Sequence, residues 1–139
     1  MRIHAVGLLS ADPARAYAGY TLIAPLRARS CYLVGMQGEV VHEWRLPDRL
    51  GSLAYMLPGG RLLTTGMTTD GPPIIEGKGG HFREFDWDGK LVWEYVDHGQ
   101  HHDFRRLPNG NTMYLGWEPM PSDRARRVRG GVPGTEIVK

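Results

Sequence analysis

A single cysteine, Cys31, stands in the 139 residues. No internal disulfide can form, and a zinc site built on several cysteines is excluded. Charge of one sign is also lacking: 17 basic against 15 acidic residues leave a net charge of +2. No general field draws such a chain to nucleic acid or to a membrane surface, and neither is expected as a partner. Long apolar runs are missing too. The N-terminal stretch "AVGLL", residues 5–9, is shorter than the core of a signal peptide, and nothing reaches the length of a membrane span. These absences lead to the expectation of a cytoplasmic protein without a membrane segment.

What is plentiful is glycine, 19 residues, with ten prolines beside it. A chain that turns this often, with aliphatic residues in short runs only, reads as all-β. The length suits one domain.

The chain repeats itself. "GEVVHEW", residues 38–44, lines up with "GKLVWEY", residues 89–95, and "LPGGRLLTTGM", residues 57–67, with "LPNGNTMYLGW", residues 107–117, at offsets of 51 and 50. Each unit reads as a strand (32–36; 82–87), a Gln-Gly or Asp-Gly turn, a second strand (39–45; 90–96), a third strand, a Pro-x-Gly turn and a fourth strand (61–65; 111–117). Asp-Gly and Asn-Gly between apolar runs signal hairpins, because Gly and Asn accept the positive φ of tight turns. Leu91, Trp93 and Tyr95 alternate with their neighbours at the period of a strand. Four antiparallel strands in about fifty residues describe a β-propeller blade. The expected organisation is a partial propeller domain over 1–139: an N-terminal strand segment (1–30, strand 20–24), a first blade (31–80), a second blade (81–120), and a short helix and tail (121–139). Ser122 as cap, Asp123 in the first turn, the arginines 124, 126, 127 and 129 and a C-terminal Gly130 predict that helix over 122–129. Two blades cannot close a propeller, so a truncated chain or self-association is expected.

The segments "DPARAYAGYTLIAPL", "YLVGMQGEVVHEW", "FREFDWDGKLVWEY" and "QHHDFRRLPNGNTMYLGWEP" resemble, in order and spacing, the N-terminal part of the arylsulfotransferase (arylsulfate sulfotransferase) family. The resemblance implies a six-bladed propeller that moves a sulfuryl group from an aryl sulfate to a phenol through a transiently sulfated histidine, with no cofactor and no nucleotide donor. It places the nucleophilic histidine in later blades, outside this chain. The alternative, from a different class, is a non-catalytic propeller module that binds a ligand or partner or assembles with its own copies.

Candidate chemistry gathers in "HGQHHDFRR", residues 98–106. His101 and His102 are strand neighbours, so their side chains are expected on opposite sides. The resemblance selects His102 for the channel, where an imidazole hydrogen-bonds sulfate or takes a phenol proton. His101 is expected to support the fold. Asp103 either orients an imidazole or satisfies turn amides. Arg105 and Arg106 can offer a planar fork to sulfate, though roughly 10–13 Å along an extended strand from His102, or be solvated surface arginines. His98, His101 and His102 have no carboxylate cluster beside them, and no metal site is expected. Trp44, Trp87, Trp93 and Trp117 fall on repeat positions or strand alternations and read as packing residues. "GKGG", residues 77–80, lacks the context of a phosphate loop and reads as a flexible connection. Tyr17 and Tyr20 have no assignable chemistry.

Overall fold

The computed structural model describes residues 7–73 and 77–129, with the backbone of residues 137–138. The hairpin turns form as their sequences dictate: Gly38, Gly59, Gly60, Gly89 and Gly110 all take positive φ. The strands are antiparallel throughout. β1 (Thr21–Ile23), β2 (Ser30–Val34) and β3 (Val40–Arg45) make a three-stranded sheet in the order β1-β2-β3. β4 (Leu50–Leu57), β5 (Arg61–Met67), β6 (Gly80–Phe85) and β7 (Leu91–Val96) make a four-stranded sheet in sequence order. β8 (Gln100–Arg106) pairs with β9 (Thr112–Gly116), and β10 (Glu118–Pro119) with β11 (Ile137–Val138). One helical turn, α1 (Ser122–Ala125), completes the order. No sheet closes on itself among the described residues.

The strands lie close to where the sequence puts them, but their grouping differs. The expected first unit, 31–67, is split: β2 and β3 pair with β1, whereas β4 and β5 pair with β6 and β7. The second expected unit, 82–117, is split in the same way. At the boundary the short connection through Pro47 and Asp48 does not fold β4 back onto β3. Leu46 N–H bonds Arg29 O (2.8 Å) and Leu50 N–H bonds Ala28 O (2.8 Å), which carries the chain across the first sheet. Asp48 then bonds His81 Nδ1 (2.7 Å) and the Arg83 guanidinium on β6, fixing the crossing against the second sheet. The strand expected at 20–24 forms as β1, the edge partner of β2.

Within the four-stranded sheet β5 is buried on both faces, which explains why it reads "RLLTTGM" rather than alternating, whereas the edge strand β7 is largely exposed. Leu62, with Leu50 and Phe85, packs against Cys31, Leu33, Trp44 and Leu46 of the first sheet and its outgoing chain. Leu63 and Phe82 pack on the other side against Phe104 of β8, with Tyr55, Trp93 and Tyr114 around them. At the first interface Trp44 donates Nε1–H to Asp86 O (3.0 Å) and His42 stacks on Trp87 at 3.9 Å. At the second, the buried Glu84 carboxylate holds the guanidinium groups of both Arg61 and Arg106, the latter at 2.9 Å. Arg106 also lies over the Trp93 ring at 4.5 Å.

The helix is shorter than expected, and its cap is different. Pro121 occupies the N-cap with no side-chain cap bond, so Ser122 serves inside the turn, its carbonyl accepting Arg126 N–H (3.1 Å). Asp123 sits in the first turn and Arg124 in the last. Gly130, expected at the C-terminal position, lies outside the described residues.

Candidate functional site

β4 and β8 start side by side, and both interrupt their ladders just after starting. Along β8 the register passes from His101↔Leu115 to Phe104↔Tyr114, three steps against one on β9. Along β4 it passes from Leu50↔Gly66 to Ala54↔Thr64, four steps against two on β5. Each strand therefore carries two extra residues in a bulge, at positions one repeat apart. The bulges touch: Ser52 Oγ–H donates to His102 O, from a residue fifty positions earlier. Bulges re-aim side chains, and here the effect is visible in the backbone. His102 takes φ +53°, a left-handed conformation that non-glycine residues rarely adopt.

Three further contacts hold that conformation. His102 N–H bonds Gly77 O at 2.6 Å, and the His102 ring lies against the Gly77 Cα. A Cβ at Gly77, itself at φ +67°, would come within 2.5 Å of His102 Cε1. His101 Nδ1 and His102 Nδ1 stand 3.0 Å apart with their rings nearly perpendicular. His101 is buried and also packs on the Trp117 ring at 4.5 Å, whereas His102 is exposed. The two imidazoles thus differ in burial, as neighbouring strand residues would, yet the bulge lets their rings meet. A nitrogen-to-nitrogen contact needs one donor and one acceptor, so at least one of the two rings is neutral at Nδ1. With His101 accepting there, His102 donates from Nδ1.

Residues 77–80 are not the loose connection their glycines suggest. Lys78 bridges to His101, Gly79 N–H bonds Gln100 O (3.2 Å), and Gly80 N–H bonds Gln100 Oε1 (3.0 Å). A Cβ on Gly79 would meet Gln100 Oε1 at 1.8 Å. The glycines are there because backbone passes directly over the start of β8. Just behind His101, Gln100 Nε2 and Thr65 Oγ1 are buried with no hydrogen-bond partner among the described residues.

Asp103 and Arg105 belong to a separate group. Asp103 Oδ1 accepts from Tyr55 Oη–H (2.9 Å) and from Phe104 N–H (2.7 Å), and Arg105 lies over the Tyr55 ring at 4.4 Å. Burial, with the Asp103 hydrogen bond behind it, pushes the Tyr55 hydroxyl above its ordinary pKa. Of the two readings of Asp103, the contacts are those of a residue that fixes a tyrosine and a backbone amide. Arg106 is committed to Glu84 and Trp93, away from the histidines. His98 bonds Thr68 Oγ1 through Nδ1 (2.8 Å). Among the described residues no three His, Cys, Asp or Glu side chains converge to hold a metal ion, and no helix is long and apolar enough to cross a membrane.

Sequence reasoning missed Ser52, Gly77, Gln100 and Tyr55. Ser52 was within reach, since the fifty-residue offset from His102 lands on it. Nothing local marks Gly77 as the partner of a histidine. No family model, curated protein or solved structure matches the chain.

Proposed function

We propose that this chain is a section of a β-propeller and that His102 contacts the anionic group of an aryl sulfate, in a protein of the arylsulfotransferase type. In this reading β4–β7 are one blade from its inner to its outer strand, β1–β3 the outer part of the preceding blade, and β8–β9 the inner part of the following one. The twin bulges of β4 and β8, tied through Ser52 and His102, carry the proposal. They raise an exposed imidazole at the start of an inner strand, and left-handed backbone at a non-glycine residue persists only where its surroundings enforce it.

The chemistry follows from what an imidazole can do. With His101 accepting at Nδ1, His102 offers Nε2–H to a sulfate oxygen as a charge-assisted donor. Neutral, it takes the proton of an incoming phenol. Sulfuryl transfer forms a bond from a nucleophilic histidine nitrogen to sulfur while the sulfur–aryl oxygen bond breaks and phenolate leaves. The acceptor phenol oxygen then bonds sulfur, the nitrogen–sulfur bond breaks, and the phenol proton passes to a base. His102 is assigned to holding the anion or taking that proton; the nucleophile is not assigned to any residue here. Calorimetric titration of p-nitrophenyl sulfate into the full chain tests this. The His102→Ala variant is expected to bind about 5- to 150-fold more weakly, the equivalent of about 1–3 kcal/mol for an unmet charged hydrogen-bond partner. Equal affinity would remove His102 from the site.

A further inference from the structure

The end of β8 far from His102 carries charge that the packing does not require. The buried Glu84 carboxylate on β6 is gripped from both sides: Arg61, at the start of β5, donates to Oε1, and Arg106, at the end of β8, donates to Oε2 at 2.9 Å. The repeat gives the first interface the same positions with different side chains. An offset of 51 carries Glu84 back to Leu33, and an offset of 50 carries Arg106 back to Met56. Leu33 lies in the first apolar core, so the equivalent strand packs there without an ion at that position. Replacing buried ions by well-packed apolar side chains of similar size is often neutral or stabilising. The ions at the second interface therefore have a role other than packing.

Their arrangement points to what that role is. Two guanidinium charges meet a single carboxylate charge, and no other described carboxylate pairs with either arginine, so the group keeps a net charge of +1. It also keeps unused donors, since each guanidinium has five N–H bonds. Arg61 uses one on Glu84 and one on Pro58 O (3.4 Å); Arg106 uses one on Glu84 and one on Gly110 O (3.0 Å). The Trp93 ring, 4.5 Å from the Arg106 guanidinium, holds that side chain in place. A cleft of about 510 Å³ opens here, and Arg61, Glu84 and Arg106 all line it. Its walls are two turns that the chain itself supplies, Leu57-Pro58 and Leu107-Pro108, whose proline rings fix the backbone on either side. We propose that this cleft binds a small monocarboxylate with an apolar body, its two oxygens on the unused N–H groups of Arg61 and Arg106 and its apolar part between Pro58 and Pro108. One negative charge balances the group, and a planar two-oxygen head matches the guanidinium fork. The cleft is separate from His102, so the inference rests neither on the propeller reading nor on sulfuryl transfer.

Sodium benzoate added to the full chain at constant ionic strength, with the Arg Nε–H and Trp Nε1–H resonances followed, tests the site. Saturable shifts are expected at Arg61, Arg106 and the Trp93 indole, with Kd on the order of 1 mM for so small a ligand, and none at the His102 ring. Arg61 is the more exposed of the two arginines. Arg61→Met is therefore expected to keep the parent's β-sheet circular dichroism spectrum and to bind benzoate at least about tenfold more weakly. Neutral benzamide, of the same shape, is expected not to bind. Absence of a saturable shift at about 20 mM benzoate overturns the proposal. So does equal binding by a folded Arg61→Met protein, or by benzamide. Shifts confined to His101 and His102 would assign benzoate to the histidine pair and overturn the cleft as its site.

Discussion

Gly77 and His102 are two left-handed residues pressed against each other, at φ +67° and +53°. Gly77→Ala therefore adds two costs: a side chain in the left-handed region, about 1–2 kcal/mol, and a Cβ that displaces the His102 ring. Gly59, at φ +78° with nothing within 4 Å of its Cβ position, separates the two. Both alanine variants are expected to unfold at lower urea concentration, but only Gly77→Ala should also shift the His102 imidazole resonances. Cys31 makes a second residue-scale prediction. It is fully buried in the first core, and burial pushes its thiol up to about 11. Thiolate is the reactive form, so labelling by a disulfide reagent at neutral pH is expected to follow the unfolding curve. Rapid labelling of the native chain would show that the first core is open.

The hairpins of β2–β3, β6–β7 and β8–β9 were legible because their turn chemistry is local: Gln37-Gly38, Asp88-Gly89 and Asn109-Gly110 dictate reversal whatever surrounds them. Which hairpins share a sheet was not legible. A fifty-residue period gives the length of the unit but not its starting point, and the choice rests on long-range contacts such as Asp48 with His81 and Arg83. The Asp48 contacts have a pH signature. Burial pushes its carboxyl up, but hydrogen bonds from Arg83 and His81 pull it further down, to a net value below its ordinary 3.8. The charged form is favoured by folding, so its contribution is present above about pH 4 and is lost as pH falls through the lowered value. Asp48→Asn is accordingly expected to flatten the fall in urea midpoint below about pH 4 while lowering the midpoint at pH 7. Between β6 and β8 the buried Glu84 provides a graded test. Arg61 is 45% exposed and Arg106 19%, so Arg61→Met should cost less than about 1 kcal/mol and Arg106→Met, which also uncovers Trp93, about 1–3 kcal/mol in urea unfolding.

Across the whole molecule, four of the six histidines, His81, His98, His101 and His102, collect at the end where β4, β6 and β8 begin. The sequence showed the cluster at 98–102, but strand alternation alone described it as two rings facing apart. The double bulge, invisible to period-two reasoning, is what brings His101 and His102 into contact and separates them from Asp103 and Arg105. The central claim is that His102, backed by His101, is the anion contact. Side-chain ¹H–¹⁵N resonances of all the histidines, followed as phenyl sulfate is added to the full chain, test this most directly. The account predicts a saturable shift of His102 Nε2, accompanied by His101 Nδ1 through their shared contact, with His42, His81 and His98 unmoved. Unchanged His102 resonances at saturating phenyl sulfate, or equal shifts at all histidines, would contradict it.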